Sequence, residues 1–106
     1  MYIVILVTAS SQEEASKISN GILAAKLAAC VNIVSGVRSF FWWQGKIDSA
    51  DEVLLVIKSK KAKLKKIIAI VKSLHSYEVP EIIALPIIDG NKDYLEWIDD
   101  SLGKPV

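Results

Sequence analysis

The chain has 106 residues, rich in Ile, Val, Leu and Ala, enough to build one core and too apolar to be disordered. Thirteen basic residues against twelve acidic ones give no charge signature for nucleic acid or a membrane surface. The single cysteine, Cys30, excludes an intrachain disulfide and suits a reducing compartment. The reading is one domain spanning residues 1–106. Met1 to Val7 is apolar but has no basic flank and no small-residue cleavage site, so neither a signal peptide nor a membrane span is expected, and a cytoplasmic location is.

Tyr2 to Val7 is a continuous β-branched run, the pattern of a central strand buried on both faces. Ser10 and Ser11, with Glu13 and Glu14 three places on, form a capping box that starts a helix. Ala15, Ile18, Ile22, Ala25 and Ala29 recur at helical spacing, and the helix is expected to run to about Ala28.

Cys30 to Val34 begins a second strand, Gly36 marks a bulge or bend, and the strand resumes from Val37 to Trp43. Fourteen residues at about 3.3 Å each reach roughly 46 Å, whereas a compact domain of this size is only about 33 Å across. The hairpin should therefore overhang its own globule. Gln44-Gly45 is the expected two-residue turn.

Phe40-Phe41-Trp42-Trp43 occupies the hairpin tip, and alternation puts aromatic rings on both of its faces. Each ring can bury about 150–250 Å², so the four together exceed the patch a monomer normally leaves open.

Lys46-Ile47 begins the return strand. Asp48 to Asp51 is polar and suggests a bulge or small loop, after which Glu52 to Lys58 forms the inner half of the strand. Ser59 is placed to cap a second helix, whose apolar face carries Leu64, Ile67, Ile68, Val71 and His75. Glu81 to Ile88 is the fourth strand, held to an edge by Pro86. Asp89-Gly90 turns the chain, and Asn91 caps a short third helix closed by Gly103 and Pro105.

The order is β-α-β-β-α-β-α. This is an α+β chain whose first six elements follow the ferredoxin-like split βαβ pattern, with a short C-terminal helix added. Helices cover one sheet face, yet the strands show no polar face. That surplus apolar surface, with the aromatic tip, points to a homo-oligomer.

Several blocks together resemble the CutA divalent-cation tolerance family. They are Ser39 to Lys46, Ala28-Ala29-Cys30-Val31-Asn32, Glu52 with Lys58, His75-Ser76-Tyr77 with Pro80-Glu81, and Tyr94-Leu95 with Trp97. The resemblance implies a trimer built like the PII signalling proteins, a part in the response to copper and other divalent cations, and copper binding. It implies no enzymatic activity. The chain departs from the family pattern where a ligand is proposed. Val7 replaces a cysteine, Leu74 the first of two histidines, and Ser76 a proline. Phe41 stands for a tyrosine and Gln44 for an acid.

His75 and Cys30 are the candidate metal ligands that remain. Copper or zinc needs several nitrogen or sulfur donors together, so a carboxylate such as Glu81 or a neighbouring chain would have to contribute. His75 near a helix C-terminus also has a structural reading, as does Cys30 as a small buried residue. Glu52, Lys58, Tyr77 and Glu81 are the candidate ligand-binding residues.

Glu52 and Lys58 share a strand face but lie too far apart to touch. The lysines at positions 58, 60, 61, 63, 65 and 66 oppose the second helix's dipole and hint at an anion. The alternative to metal response is therefore a PII-like trimer that recognises an anionic small molecule, or a protein partner, at subunit clefts. No nucleophilic triad, phosphate loop or Cys-x-x-Cys motif is present.

Overall fold

A computed structural model describes residues 1–103. Its elements are β1 (Tyr2–Ala9), α1 (Gln12–Ala24), β2 (Cys30–Trp43), β3 (Lys46–Lys60), a 3-10 turn (Lys61–Lys63), α2 (Leu64–Leu74), β4 (Ile82–Pro86) and α3 (Lys92–Ser101). The strands form one antiparallel sheet in the order β2-β3-β1-β4, the ferredoxin-like arrangement.

β1 is central, as its β-branched run suggests. It pairs with β3 from Tyr2↔Lys60 to Ala9↔Val53, and with β4 from Ile3↔Pro86 to Val7↔Ile82. Pro86 lies on the outermost strand, where its missing N–H leaves no ladder bond unmade.

The core lies between the sheet and α1 and α2. Ile3, Ile5 and Val7 of β1 and Leu55 and Ile57 of β3 meet Ile18 and Ile22 of α1 and Ile67 and Val71 of α2, all buried. The opposite face of β1 is only half-buried, so burial on both faces is not achieved within one subunit. That open face carries Val4, Leu6, Val34, Leu54, Val56, Ile83 and Leu85, by register. Lys58 and Asn32 add polarity at one end, so the face is mostly but not wholly apolar.

Ser11 caps α1, its hydroxyl accepting from the Glu14 N–H at 3.1 Å. The carboxylate arm of the box closes on the Ser10 N–H rather than on Ser11. The helix ends at Ala24, earlier than the alanine run suggests. Lys26 takes a left-handed conformation (φ 55°), and the chain turns there to feed Leu27 into the core.

The hairpin is as long as expected, and it stretches the molecule to 44 × 26 × 22 Å. A bulge lies between Val34 and Val37, with Gly36 at φ 76°. Gln44 (φ 51°) and Gly45 (φ 78°) make the turn with both central residues left-handed, the form that matches strand twist.

Three expectations are corrected, in β3, at the start of α2 and in β4. Asp48 to Asp51 makes no loop: Phe41↔Asp48 to Arg38↔Asp51 pair in unbroken register. Polar residues are tolerated there because this stretch of the hairpin lies clear of the core. Ser59 caps nothing. It is fully buried in β3, and its hydroxyl donates to the Leu27 carbonyl at 2.5 Å. A 3-10 turn without a side-chain cap leads into α2 instead. β4 is shorter than expected, Ile82–Pro86 rather than Glu81 to Ile88, although the Ile87 N–H still donates to the Tyr2 carbonyl.

Asn91 caps α3 by accepting the Asp93 N–H at 3.0 Å. Asp99 fastens that helix to the sheet end by accepting from the Tyr2 hydroxyl and the Lys60 ammonium. Gly103 follows α3 and donates to the Lys26 carbonyl. The expected helix stop at Pro105 lies outside the described residues.

Candidate functional site

The polar side chains gather at two ends of the sheet. At the first, the chain leaves α2 at His75 and crosses the C-terminal end of β1. The His75 side chain is fully buried there. Its Nε2–H donates to the Thr8 carbonyl at 2.7 Å, and its Nδ1 accepts the Tyr77 N–H at 2.9 Å. Both ring nitrogens are therefore used, and the pattern fixes a neutral ring with its proton on Nε2.

Glu14 packs beside this ring. Its carboxylate accepts the Ser10 N–H at 3.0 Å and the Ser76 N–H at 2.9 Å, tying the start of α1 to the end of α2. Glu14 Oε1 is 3.5 Å from His75 Nδ1, but that nitrogen carries no proton in this arrangement, so the contact is not an ion pair. Partial burial pushes the Glu14 carboxyl up. Hydrogen bonds from the Ser76 side chain and the two backbone amides outweigh burial and hold it below its ordinary value.

Tyr77 stacks at a tilt beside His75, with ring centroids 4.7 Å apart, and its hydroxyl donates to Glu52 at 3.0 Å. Glu52 lies on β3 just past the end of β1 and is 8% exposed. Burial, then the hydrogen bond and negative charge of Glu52, then the charge of Glu14, push the Tyr77 hydroxyl up to about 12. Glu81 is exposed immediately before β4.

The second cluster lies toward the other end of the open face. Cys30 and Val4 both pair with Lys58, on either side of it. The Lys58 ammonium donates to Asn32 Oδ1 and lies 4.0 Å from the half-buried Cys30 thiol. Burial first, and Cys30 second, push the Tyr94 hydroxyl of α3 up.

The structure therefore joins Tyr77 to Glu52 and Lys58 to Cys30, but it separates the candidate metal ligands. His75 lies at the level of Thr8 and Cys30 at the level of Val4, four residues apart along β1 or about 13 Å. Among the described residues no group of three or more His, Cys, Asp or Glu is arranged to hold a metal ion. Val7, at the position of a ligand in the family pattern, is fully buried in the core. One subunit thus does not fit a copper ion.

Sequence reasoning missed the parts played by Glu14, Ser10 and Ser76. The capping-box glutamate was the available signal, but its second hydrogen bond, to Ser76, joins residues 62 apart.

The family described as CutA1 divalent ion tolerance protein matches residues 3–101. The chain belongs to the CutA family. It is 46% identical over 99 residues to the chloroplastic protein CutA 1 of Oryza sativa subsp. japonica, covering 93% of this chain and 56% of the relative. A similar match to the chloroplastic CutA of Arabidopsis thaliana covers 54% of that protein, so the chain spans about half the length of these plant relatives. With the divalent-cation tolerance protein CutA of Archaeoglobus fulgidus it is 45% identical over 102 residues, 96% of this chain and 99% of that one.

Among solved CutA structures, that of Thermus thermophilus superposes with a TM-score of 0.95 at 44% identity, covering 97% of this chain and 100% of the other. CutA1 from Oryza sativa gives 0.95 at 44%, covering 98% and 95%. The Archaeoglobus fulgidus structure is described as a periplasmic protein, and the plant relatives as chloroplastic, so CutA proteins are assigned to more than one compartment. No helix among the described residues is long and apolar enough to cross a membrane.

Proposed function

We propose that this CutA chain works as a homotrimer in tolerance of divalent cations, with sister copies covering the open sheet face and the hairpin tip. The names of its relatives support the cation role. One observation carries the assembly. Phe40, Trp42 and Trp43 are 69%, 73% and 60% exposed, Ile47 is 67% exposed, and Phe41 adds more apolar surface on the same tip. At about 200–250 Å² per large ring, the tip alone leaves on the order of 500 Å² of apolar surface uncovered. Joined to the open face, this exceeds the few hundred Å² that a monomer leaves open.

Copper binding, on this reading, is a property of the assembly, because a single subunit holds Cys30 and His75 apart and uses both nitrogens of His75. No catalytic step is assigned. A reducing, cytoplasmic setting suits the free Cys30 thiol.

The second reading, an anionic ligand held at subunit clefts, is favoured by the uncapped start of α2. There Lys61, Lys65 and Lys66 are exposed, while Lys63 is drawn to the Gly103 carbonyl.

Sedimentation velocity with and without copper tests the proposal. A species of three times the 11.7 kDa subunit mass is expected throughout. A monomer at micromolar concentration overturns the assembly. A thermal-shift screen of nucleotides and phosphometabolites tests the second reading, which predicts stabilisation that is lost when Lys65 and Lys66 are replaced.

A further inference from the structure

We propose that Glu52 and Lys58 are two halves of an ion pair completed only between copies of the chain, Lys58 of one subunit meeting Glu52 of the partner subunit. The inference rests on the homotrimer reading and names the contact that sets its register.

Both residues lie on β3 and, with no bulge in that strand between them, on its open face. Six residues separate them, about 20 Å along the strand, which rules out contact within one subunit. Neither has an oppositely charged partner within the subunit, among the described residues. Glu52 is 8% exposed, and its hydrogen-bond partner is a neutral phenol, Tyr77. Lys58 is half-buried, and among the described residues its ammonium has the Asn32 amide and the Cys30 sulfur as hydrogen-bond partners. Between them lie Leu54 and Val56, flanked by Val4, Leu6 and Val34.

The open face is therefore an apolar strip with an anion at one end and a cation at the other. Glu52 is already nearly out of water within the subunit, any apolar cover placed over the face strips water from Lys58 as well, and a buried charge left unpaired is strongly unfavourable. A second copy brings the missing partner with it. In a closed ring each Lys58 has one Glu52 to meet and none is left over. Tyr77 holds the carboxylate in place on one side of the contact, and Asn32 holds the ammonium on the other. Like charges fall together if the neighbour docks in the wrong register, so the pair selects one arrangement of the apolar strips over its slipped alternatives.

Wild-type sedimentation comes first, because a monomer there overturns the homotrimer reading and this pair with it. Given a wild-type trimer, Glu52→Lys and Lys58→Glu should each weaken association by about tenfold or more, and the double variant carrying both reversals should recover most of that loss. A double variant as weak as the summed singles, or singles that associate like wild type, overturns the pair while leaving the homotrimer reading standing. Should a reversal unfold the subunit, a crystal structure of the wild-type assembly decides. Lys58 Nζ within about 4 Å of Glu52 of the partner subunit supports the pair, and a longer separation overturns it.

Discussion

Replacing Trp43 by alanine should separate assembly from folding. Trp43 sits at the end of β2, paired with Lys46 next to the turn, and none of the hairpin from Val37 to Ala50 belongs to the buried core. Its ring is 60% exposed in the subunit. Of the roughly 250 Å² that a tryptophan can bury, about 150 Å² is therefore available to a neighbour. At about 25 cal/mol per Å², covering it contributes about 3–4 kcal/mol per subunit. Its loss should weaken each interface by two to three orders of magnitude in dissociation constant. A dilution series followed by sedimentation velocity measures this, with far-UV circular dichroism as a check on the fold. Trp43→Ala should dissociate at concentrations where the parent stays assembled and keep its secondary structure while doing so. A variant that stays assembled to the same dilution as the parent refutes the reasoning, since Trp43 would then lie outside the interface.

Two further outcomes concern the loop after α2. The Tyr77 hydroxyl ionises near 12 in the folded chain and near 10 unfolded, so its stabilising effect is complete below about pH 10 and fades as pH rises toward 12. Absorbance titration of the tyrosinates should show a late ionisation that Tyr77→Phe removes, and the variant's stability should fall less steeply than the parent's above pH 10. His75→Ala leaves the Thr8 carbonyl and the Tyr77 N–H without partners and should cost about 2–4 kcal/mol in denaturant unfolding. Its copper titration should match the parent's. Loss of a copper site with unchanged stability would show that the ring is a ligand rather than a brace.

Much of this architecture was legible because local signals agreed. The β-branched run at Tyr2, the serine cap, the glycine at position 36, the Gln44-Gly45 turn and Pro86 each mark a feature the structure contains. The failures came where tertiary needs override local preference. The alanines after residue 24 favour helix, but the chain must reverse at Lys26 to reach β2. Ser59 has a capping residue's chemistry, yet the sheet buries it and turns its hydroxyl to Leu27.

The candidate site was legible as a set of residues but not as an arrangement. Tyr77 and Glu52 are 25 residues apart, Glu14 and Ser76 62, and His75 and Thr8 67. No periodicity carries such pairings, because they are made by the loop that crosses the sheet end.

The central place of β1 governs when the fold can close. The ribosome delivers that strand first, but its two hydrogen-bonding edges are filled by β3, which begins at Lys46, and by β4, which ends at Pro86. Until Pro86 has left the exit tunnel, the nascent chain holds an apolar strand with at least one edge unzipped. At about 5–20 residues per second that interval lasts seconds, long enough for holding factors to engage it. A protein cut short before Ile82 would retain α1, α2 and the hairpin but lose β4 and α3, and would carry β1 permanently as a template for foreign strands.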